Sequence, residues 1–220
     1  MKKTFLFTVS ALCSLLMKAQ SVDDSIPLKT MLFEKFIGGS VLMKSGEVES
    51  APLNYNTDNQ TVVFIKNKQY LVLTGLESID TVYMQNKKFI PVNKSIFSVV
   101  TESAPITLLA SYSNTIHPLV STADHNGSSK QSASQVSNTV TDVYATKLYK
   151  DNYSVEIKKH YWFKKNGQLY KVTPKKQFIN SFPSRTGKQI DKFIDDNKIN
   201  FTYEPDLVKL VEFCNKELNY

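Results

Sequence analysis

Between Gly39 and Val100 the chain breaks into short apolar or alternating runs. Small polar turns cut them at near-regular intervals: Lys44-Ser45-Gly46, Asp58-Asn59, Lys66-Asn67-Lys68 and Asn86-Lys87. Runs of this length suit strands better than helices, and Gly, Asn and Asp between them supply the backbone freedom a tight reversal needs, so the stretch predicts an antiparallel meander. Strands are expected at 40–44, 47–56, 61–66, 69–74, 79–85, 88–92, 96–101 and 106–112, with Gly38-Gly39 as the turn that opens the series. The apolar segment 31–37 before it is expected to pair or pack early.

Side-chain alternation refines this picture. Val62 and Phe64 point one way and Val63 and Ile65 the other, so that strand is apolar on both faces and belongs inside a sheet. Leu71 and Leu73 around Val72 read the same way. Pro52 has no N–H to give a ladder and marks an edge or a bulge. Lys87 and Lys88 read as guards of an exposed edge.

After Tyr112 the character changes. Residues 113–142 are dominated by Ser, Thr, Asn and Gln, too poor in large apolar groups to offset the entropy of ordering, and read as a flexible loop or linker. Strand-like composition resumes at 143–150. The clearest hairpin follows: 153–165 and 168–173 flank Asn166-Gly167, a pair whose residues both accept the positive φ of a type I′ turn. The remainder is helical. Thr173 is expected to cap a helix beginning at Pro174 and covering 175–181. A second helix starts at Pro183 or Ser184, with Ile190, Phe193 and Ile194 on its apolar face. A third starts at Pro205, with Leu207, Leu210, Val211, Cys214 and Leu218 at helical spacing. The expected class is α+β: an antiparallel β-meander, as a sandwich or a partly open barrel, followed by a β-hairpin and two to three C-terminal helices. The expected divisions are a signal peptide at 1–19, the β-rich meander at 20–112, the Ser/Thr-rich loop at 113–142, and the hairpin with its helical region at 143–220.

The N-terminus carries an address. Lys2 and Lys3 precede an apolar run from Phe5 to Met17 that is too short to cross a bilayer, and Ala19-Gln20 is the expected cleavage point of a secretory signal. Removing Lys2, Lys3 and Lys18 from the 27 basic residues leaves 24 against 20 acidic ones, so the formal charge falls from +7 to +4. That mild balance is not the footprint of a nucleic-acid binder. Cleavage also removes Cys13 and leaves Cys214 alone, so the exported chain has no internal disulfide. Cys214, on an apolar helix face, reads as a small buried hydrophobe. No later segment has the length and apolarity of a transmembrane helix.

Catalytic chemistry finds little purchase. The three histidines are His117, His125 and His160, and no His, Cys or carboxylate set has metal-ligand spacing. No serine lies in a nucleophile motif. Asp195-Asp196 and Asp23-Asp24 are sequence neighbours; side by side on a helix they diverge by about 100° and make a poor acid/base pair. No catalytic, metal or cofactor residue is assigned, and no cofactor is expected. The most suggestive patch is the basic aromatic hairpin, where Lys158, Lys159, Trp162, Lys164 and Lys165 form a candidate polyanion-binding surface for lipopolysaccharide, a glycan or nucleic acid, the last disfavoured by the secretory route. The plainer reading buries Tyr161 and Phe163, or Trp162, and leaves the lysines to solvate the other face; the pattern favours it.

Two blocks resemble a group of uncharacterised secreted proteins common in the Bacteroidota. One comprises Gly39-Ser40-Val41, Lys44-Ser45-Gly46, Leu53-Asn54-Tyr55-Asn56, Asp80-Thr81-Val82-Tyr83 and Lys88-Phe89-Ile90-Pro91-Val92. The other comprises Tyr161-Trp162-Phe163, Asn166-Gly167-Gln168-Leu169-Tyr170, Lys175-Lys176, Phe182-Pro183, Ile190-Asp191-Lys192-Phe193-Ile194, Asn197-Lys198-Ile199 and Asp206-Leu207. The resemblance implies export and carries no activity with it. The Ser-rich stretch from Thr122 to Thr141 stands outside the shared pattern and reads as an insertion. The lineage implies one covalent modification: Asp24-Ser25-Ile26 and Asp80-Thr81-Val82 match a short O-glycosylation pattern, which makes Ser25 and Thr81 candidates. The resulting expectation is an exported, non-enzymatic interaction or structural module, periplasmic or extracellular, whose partner is an envelope protein or a glycan and not a nucleic acid. The alternatives are a secreted hydrolase with a dispersed site and a β-barrel holding a small apolar ligand.

Overall fold

The computed structural model describes residues 21–22, 28–118 and 153–218. The expected signal at 1–19, Ser25, His125 and the strand-like segment 143–150 lie outside these residues. The fold is α+β, one open antiparallel sheet followed by three helices. The strands are β1 Ser21–Val22, β2 Ile37–Met43, β3 Val48–Asn56, β4 Thr61–Lys66, β5 Gln69–Val72, β6 Ile79–Met84, β7 Lys87–Val92, β8 Ser95–Val99, β9 Ile106–Pro118, β10 Tyr153–Lys165 and β11 Gln168–Lys171. Their order across the sheet is β1-β5-β4-β3-β2-β6-β7-β8-β9-β10-β11. The helices are α1 Lys175–Asn180, α2 Ser184–Asp196 and α3 Glu204–Leu218.

The sheet rolls up without closing. Five strand spacings separate β3 from β9, about 24 Å in a flat sheet. Yet the ring of Tyr55 on β3 lies 5.8 Å from that of Tyr112 on β9, and 5.7 Å from that of Phe89 on β7. Asn114 of β9 also donates to Thr57 Oγ1 at 2.8 Å and to the Asp58 carboxylate at 2.7 Å, both just beyond the end of β3. Of the two expected forms, the partly open barrel is therefore the nearer, and a two-sheet sandwich is not formed. The inside of the roll is filled: Tyr55, Val62, Val82, Met84 and Phe89 have no exposed surface.

β9 and β10, 13 residues each and paired along their whole length, link this core to a second one. Side chains on one face of this ribbon, Ile106, Leu108 and Phe163, pack against Phe178 and Phe182 and against Ile190, Ile194, Leu207, Leu210, Val211 and Cys214 of α2 and α3. On the opposite face, Leu109 and Trp162 join Val92 and Phe97 in a smaller cluster.

Several expectations change. Gly38-Gly39 is not a turn; both residues lie inside β2, paired with Pro52 and Ala51. β3 is an interior strand, but its pairing with β4 begins only at Leu53, so Pro52 falls where one side of the strand is open. That is how a residue without an N–H is accommodated. β4 is interior as expected, whereas among the described residues β5 has only the two-residue β1 outside it. Lys87 and Lys88 guard no edge, because β7 lies between β6 and β8; Lys88 pairs with Glu102 at 2.9 Å. The first residues of the expected loop, 113–118, continue β9 because Tyr153 to Lys158 of β10 supply their hydrogen-bond partners. Thr173 caps no helix; Pro174 takes the N-cap position of α1, without a side-chain cap. The Asn166-Gly167 turn forms as expected, with φ of 50° and 77°.

Among the described residues no helix is long and apolar enough to cross a membrane, which says nothing of strands.

Candidate functional site

The five residues of the expected polyanion surface do not share a surface. Successive side chains on a strand point to opposite faces. Lys159 and Lys165 therefore emerge on the helix-covered side of β10, and Lys158, Trp162 and Lys164 on the other. Lys159 forms an ion pair with Glu204 and lies 5.2 Å from the centre of the Tyr161 ring. Burial presses its ammonium down, but the Glu204 carboxylate overcomes this and holds it above its ordinary value. Lys165 donates to the Ser181 carbonyl at 3.3 Å and covers the Phe182 ring. Both are structural cations. Lys158 is exposed, 3.7 Å from Glu156, and Lys164 is half-buried. The aromatic alternation buries Phe163 completely and Tyr161 and Trp162 in part, on opposite faces.

A different set of residues comes together where β11 ends. There a groove of about 460 Å3 opens beside β10. Trp162 forms its floor: the indole Nε1 donates to Ser111 Oγ at 3.0 Å, and the ring sits edge-on to Phe97, with centroids 5.8 Å apart. These two contacts fix the indole plane. The Lys171 ammonium stands 5.3 Å from the Trp162 ring centre and stays exposed, a cation held over an aromatic face. His160 and Ser113 line the groove beside them, with Ser113 Oγ 2.8 Å from His160 Nε2. Thr202, from the turn before α3, adds a hydroxyl. The groove thus offers an immobilised aromatic surface, an exposed cation, several hydroxyl groups and one imidazole.

The Ser113–His160 contact has the first two parts of a nucleophile–base–orienter chain. The third is missing: among the described residues no carboxylate hydrogen-bonds His160, and Glu156 pairs instead with His117 at 3.3 Å and with Lys158. The pair is a cross-strand polar contact. Cys214 has no exposed surface, and burial pushes its thiol up to about 12, so its nucleophilic thiolate is suppressed. Among the described residues no group of three or more His, Cys, Asp or Glu side chains is placed to hold a metal. Thr81 is 2% exposed, its hydroxyl turned to the Asp80 carboxylate at 2.6 Å, so the folded chain does not offer it for glycosylation.

Sequence reasoning found Trp162, with His160 and Lys171 on the same basic hairpin, but not the companions that come from outside it. Ser111, Ser113 and Thr202 lie 40 to 51 positions from Trp162, and Ser113 sits where a loop was expected to begin. The register of β9 against β10 brings Ser111 and Ser113 to Trp162, and the turn before α3 brings Thr202. No protein family, curated protein or solved structure matches the chain.

Proposed function

We propose that this chain is an exported, non-enzymatic binding module of the bacterial envelope, and that it engages an anionic glycan in the groove over Trp162. The observation that carries the reading is the exposed Lys171 ammonium above an indole locked by Ser111 and Phe97, with hydroxyl and imidazole groups at its side. A sugar ring presents an apolar face for stacking, hydroxyls for hydrogen bonds, and in acidic glycans a carboxylate or phosphate for a cation; a mostly preformed site with a few oriented polar groups suits such a ligand. The N-terminal signal pattern and the resemblance to secreted proteins of the Bacteroidota support the export part of the reading. The filled interior of the roll weighs against an apolar ligand held there.

The test is calorimetric titration with lipopolysaccharide, an acidic capsular polysaccharide and neutral dextran. The expected result is binding to the acidic polymers only, weakened about tenfold or more by Lys171→Glu at unchanged melting temperature. Equal binding of wild type and Lys171→Glu, or no binding to any acidic envelope polymer, overturns it.

The Ser113–His160 pair favours a second reading, a hydrolase with a Ser–His dyad that lacks an orienting carboxylate. Turnover of ester or glycoside substrates that disappears in Ser113→Ala would establish it; the expected result is no turnover in either protein.

A further inference from the structure

Among the described residues the distal half of β10 has an open side. β11 pairs with β10 only from Trp162 to Lys165, and β9 covers the other side throughout. The open stretch is bounded at both ends. At one end Lys29 donates to the Tyr153 carbonyl at 3.3 Å; at the other the Val172 N–H donates to the Tyr161 carbonyl at 3.2 Å. Between these stops lie seven residues, 154–160, and Ile157 is their midpoint.

The bond at Tyr161 also fixes which backbone groups face outward. Along a strand the N–H and C=O of successive residues alternate between the two sides. Since the Tyr161 carbonyl points away from β9, those of Val155, Ile157 and Lys159 do too, and among the described residues none of them has a backbone partner on that side. A row of outward amides and carbonyls is a template for one more strand.

We infer that this edge pairs with the same edge of a second copy of the chain, antiparallel, about a two-fold axis at Ile157. The sequence is self-complementary in that register. Ile157 meets Ile157, the narrow hydrogen-bonded pair, and Val155 meets Lys159 on either side of it, which gives about six backbone hydrogen bonds. On the other face Glu156 meets Lys158 of the second copy twice, so both cross-strand pairs join opposite charges. Ile157 and the nearby Ile116 are large apolar side chains left 37% and 40% exposed in the single chain. A register shifted by two residues loses this: Glu156 then faces Glu156, or Lys158 faces Lys158. Charge thus selects one alignment of an edge that would otherwise accept several.

The axis stands perpendicular to the sheet, so both copies present the same face. Resting on the glycan reading above, the two Trp162 grooves then lie about ten residue steps apart along the strand direction, roughly 34 Å, a spacing suited to a repeating polymer. The pairing itself does not depend on that reading.

Sedimentation equilibrium of the full chain, with no glycan present, tests the pairing. Wild type is expected to be in concentration-dependent monomer–dimer exchange. Glu156→Lys places lysine opposite Lys158, and Lys158→Glu places glutamate opposite Glu156. Each variant alone is expected to self-associate about tenfold more weakly at unchanged melting temperature, since two attractive pairs become repulsive. Mixed one to one, the two variants restore every opposite-charge pair and are expected to form a heterodimer of wild-type affinity. A wild type monomeric at its highest soluble concentration, single variants as dimeric as wild type, or a mixture that stays monomeric each overturns the proposal.

Discussion

Asn215 shows how much can rest on one buried amide. It is 6% exposed, next to Cys214 in α3, and it holds the first residue of β9 from both sides: its Oδ1 accepts the Ile106 N–H at 2.7 Å and its Nδ2 donates to the Ile106 carbonyl at 2.9 Å. The side chain acts as one more strand residue, closing the ladder where β9 begins. Asn215→Leu keeps the volume and removes both bonds, leaving the buried Ile106 N–H unpaired and its carbonyl with the Ser103 hydroxyl at 3.2 Å. The expected cost is about 1–3 kcal/mol, read as a lower denaturant midpoint at unchanged slope. Asn215→Asp, which can still accept from Ile106 but meets its carbonyl with a second oxygen, is expected to lose stability as well. A Leu variant as stable as wild type would show that the helix does not depend on this bond. Asn54 plays a similar part in the roll, its buried amide bonding the carbonyls of Phe33 and Lys35 and the Phe33 N–H. Neither residue stood out in the sequence, since an isolated asparagine reads as surface until its neighbours are known.

At the scale of the element, β2 depends on one glycine and not on the one beside it. A Cβ on Gly39 would sit 2.5 Å from the Tyr83 carbonyl oxygen and 2.8 Å from Leu53 Cδ1, whereas a Cβ on Gly38 meets nothing within 4 Å. The obstacle at Gly39 is backbone of the neighbouring β6 and cannot rotate away. Gly39→Ala is therefore expected to lower stability by about 1–3 kcal/mol, and Gly38→Ala to leave it nearly unchanged or raise it slightly. Thermal unfolding of the two variants side by side checks this, and equal melting temperatures would sink it. The alternating runs and turn residues of the meander were legible because each strand's pattern is local. The pair Gly38-Gly39 misled for the same reason: two glycines look like a turn, and only the closeness of β6 explains one of them inside a strand. The end of β9 beyond Tyr112 is not legible in the sequence because those residues are mostly polar, and their strand conformation is enforced from outside by β10.

The whole molecule has two cores joined by the β9–β10 ribbon, and each holds a buried weak acid. Tyr55 lies in the roll and Cys214 under the helices, and burial raises both: the thiol from 9.0 to about 12, the phenol well above its ordinary 10.0. The sign of the pH effect follows. Below the ordinary values both states keep their protons and stability is undiminished. Above them the unfolded chain ionises while the folded chain holds its protons, so stability falls, first through Cys214 from about pH 9 and then also through Tyr55. The expected outcome is a denaturant midpoint that declines steadily above about pH 9, with a shallower decline at first in Cys214→Ala. Because β9 contributes to both cores, Tyr112 to the roll and Ile106 and Leu108 to the helical side, tryptophan fluorescence and far-ultraviolet circular dichroism should report one coincident transition. A midpoint flat through this range, or two separated transitions, would contradict the account.

The secondary-structure elements follow from local sequence. The period of its apolar residues set the strands and the helix faces, and Asn166-Gly167 set the hairpin, because periodicity and turn chemistry are properties of neighbouring residues. It also marked Trp162 as unusual and separated the lysines of one strand by parity, although the candidate polyanion surface was drawn across that division. Only the tertiary structure decided that the sheet rolls so that Tyr112 reaches Tyr55, that Lys159 and Lys165 are held by Glu204 and Ser181, and that Lys171, His160 and Ser113 gather over Trp162. Those outcomes depend on strand register and sheet curvature, which sum many weak side-chain preferences over distant parts of the chain, and no single stretch of sequence carries them.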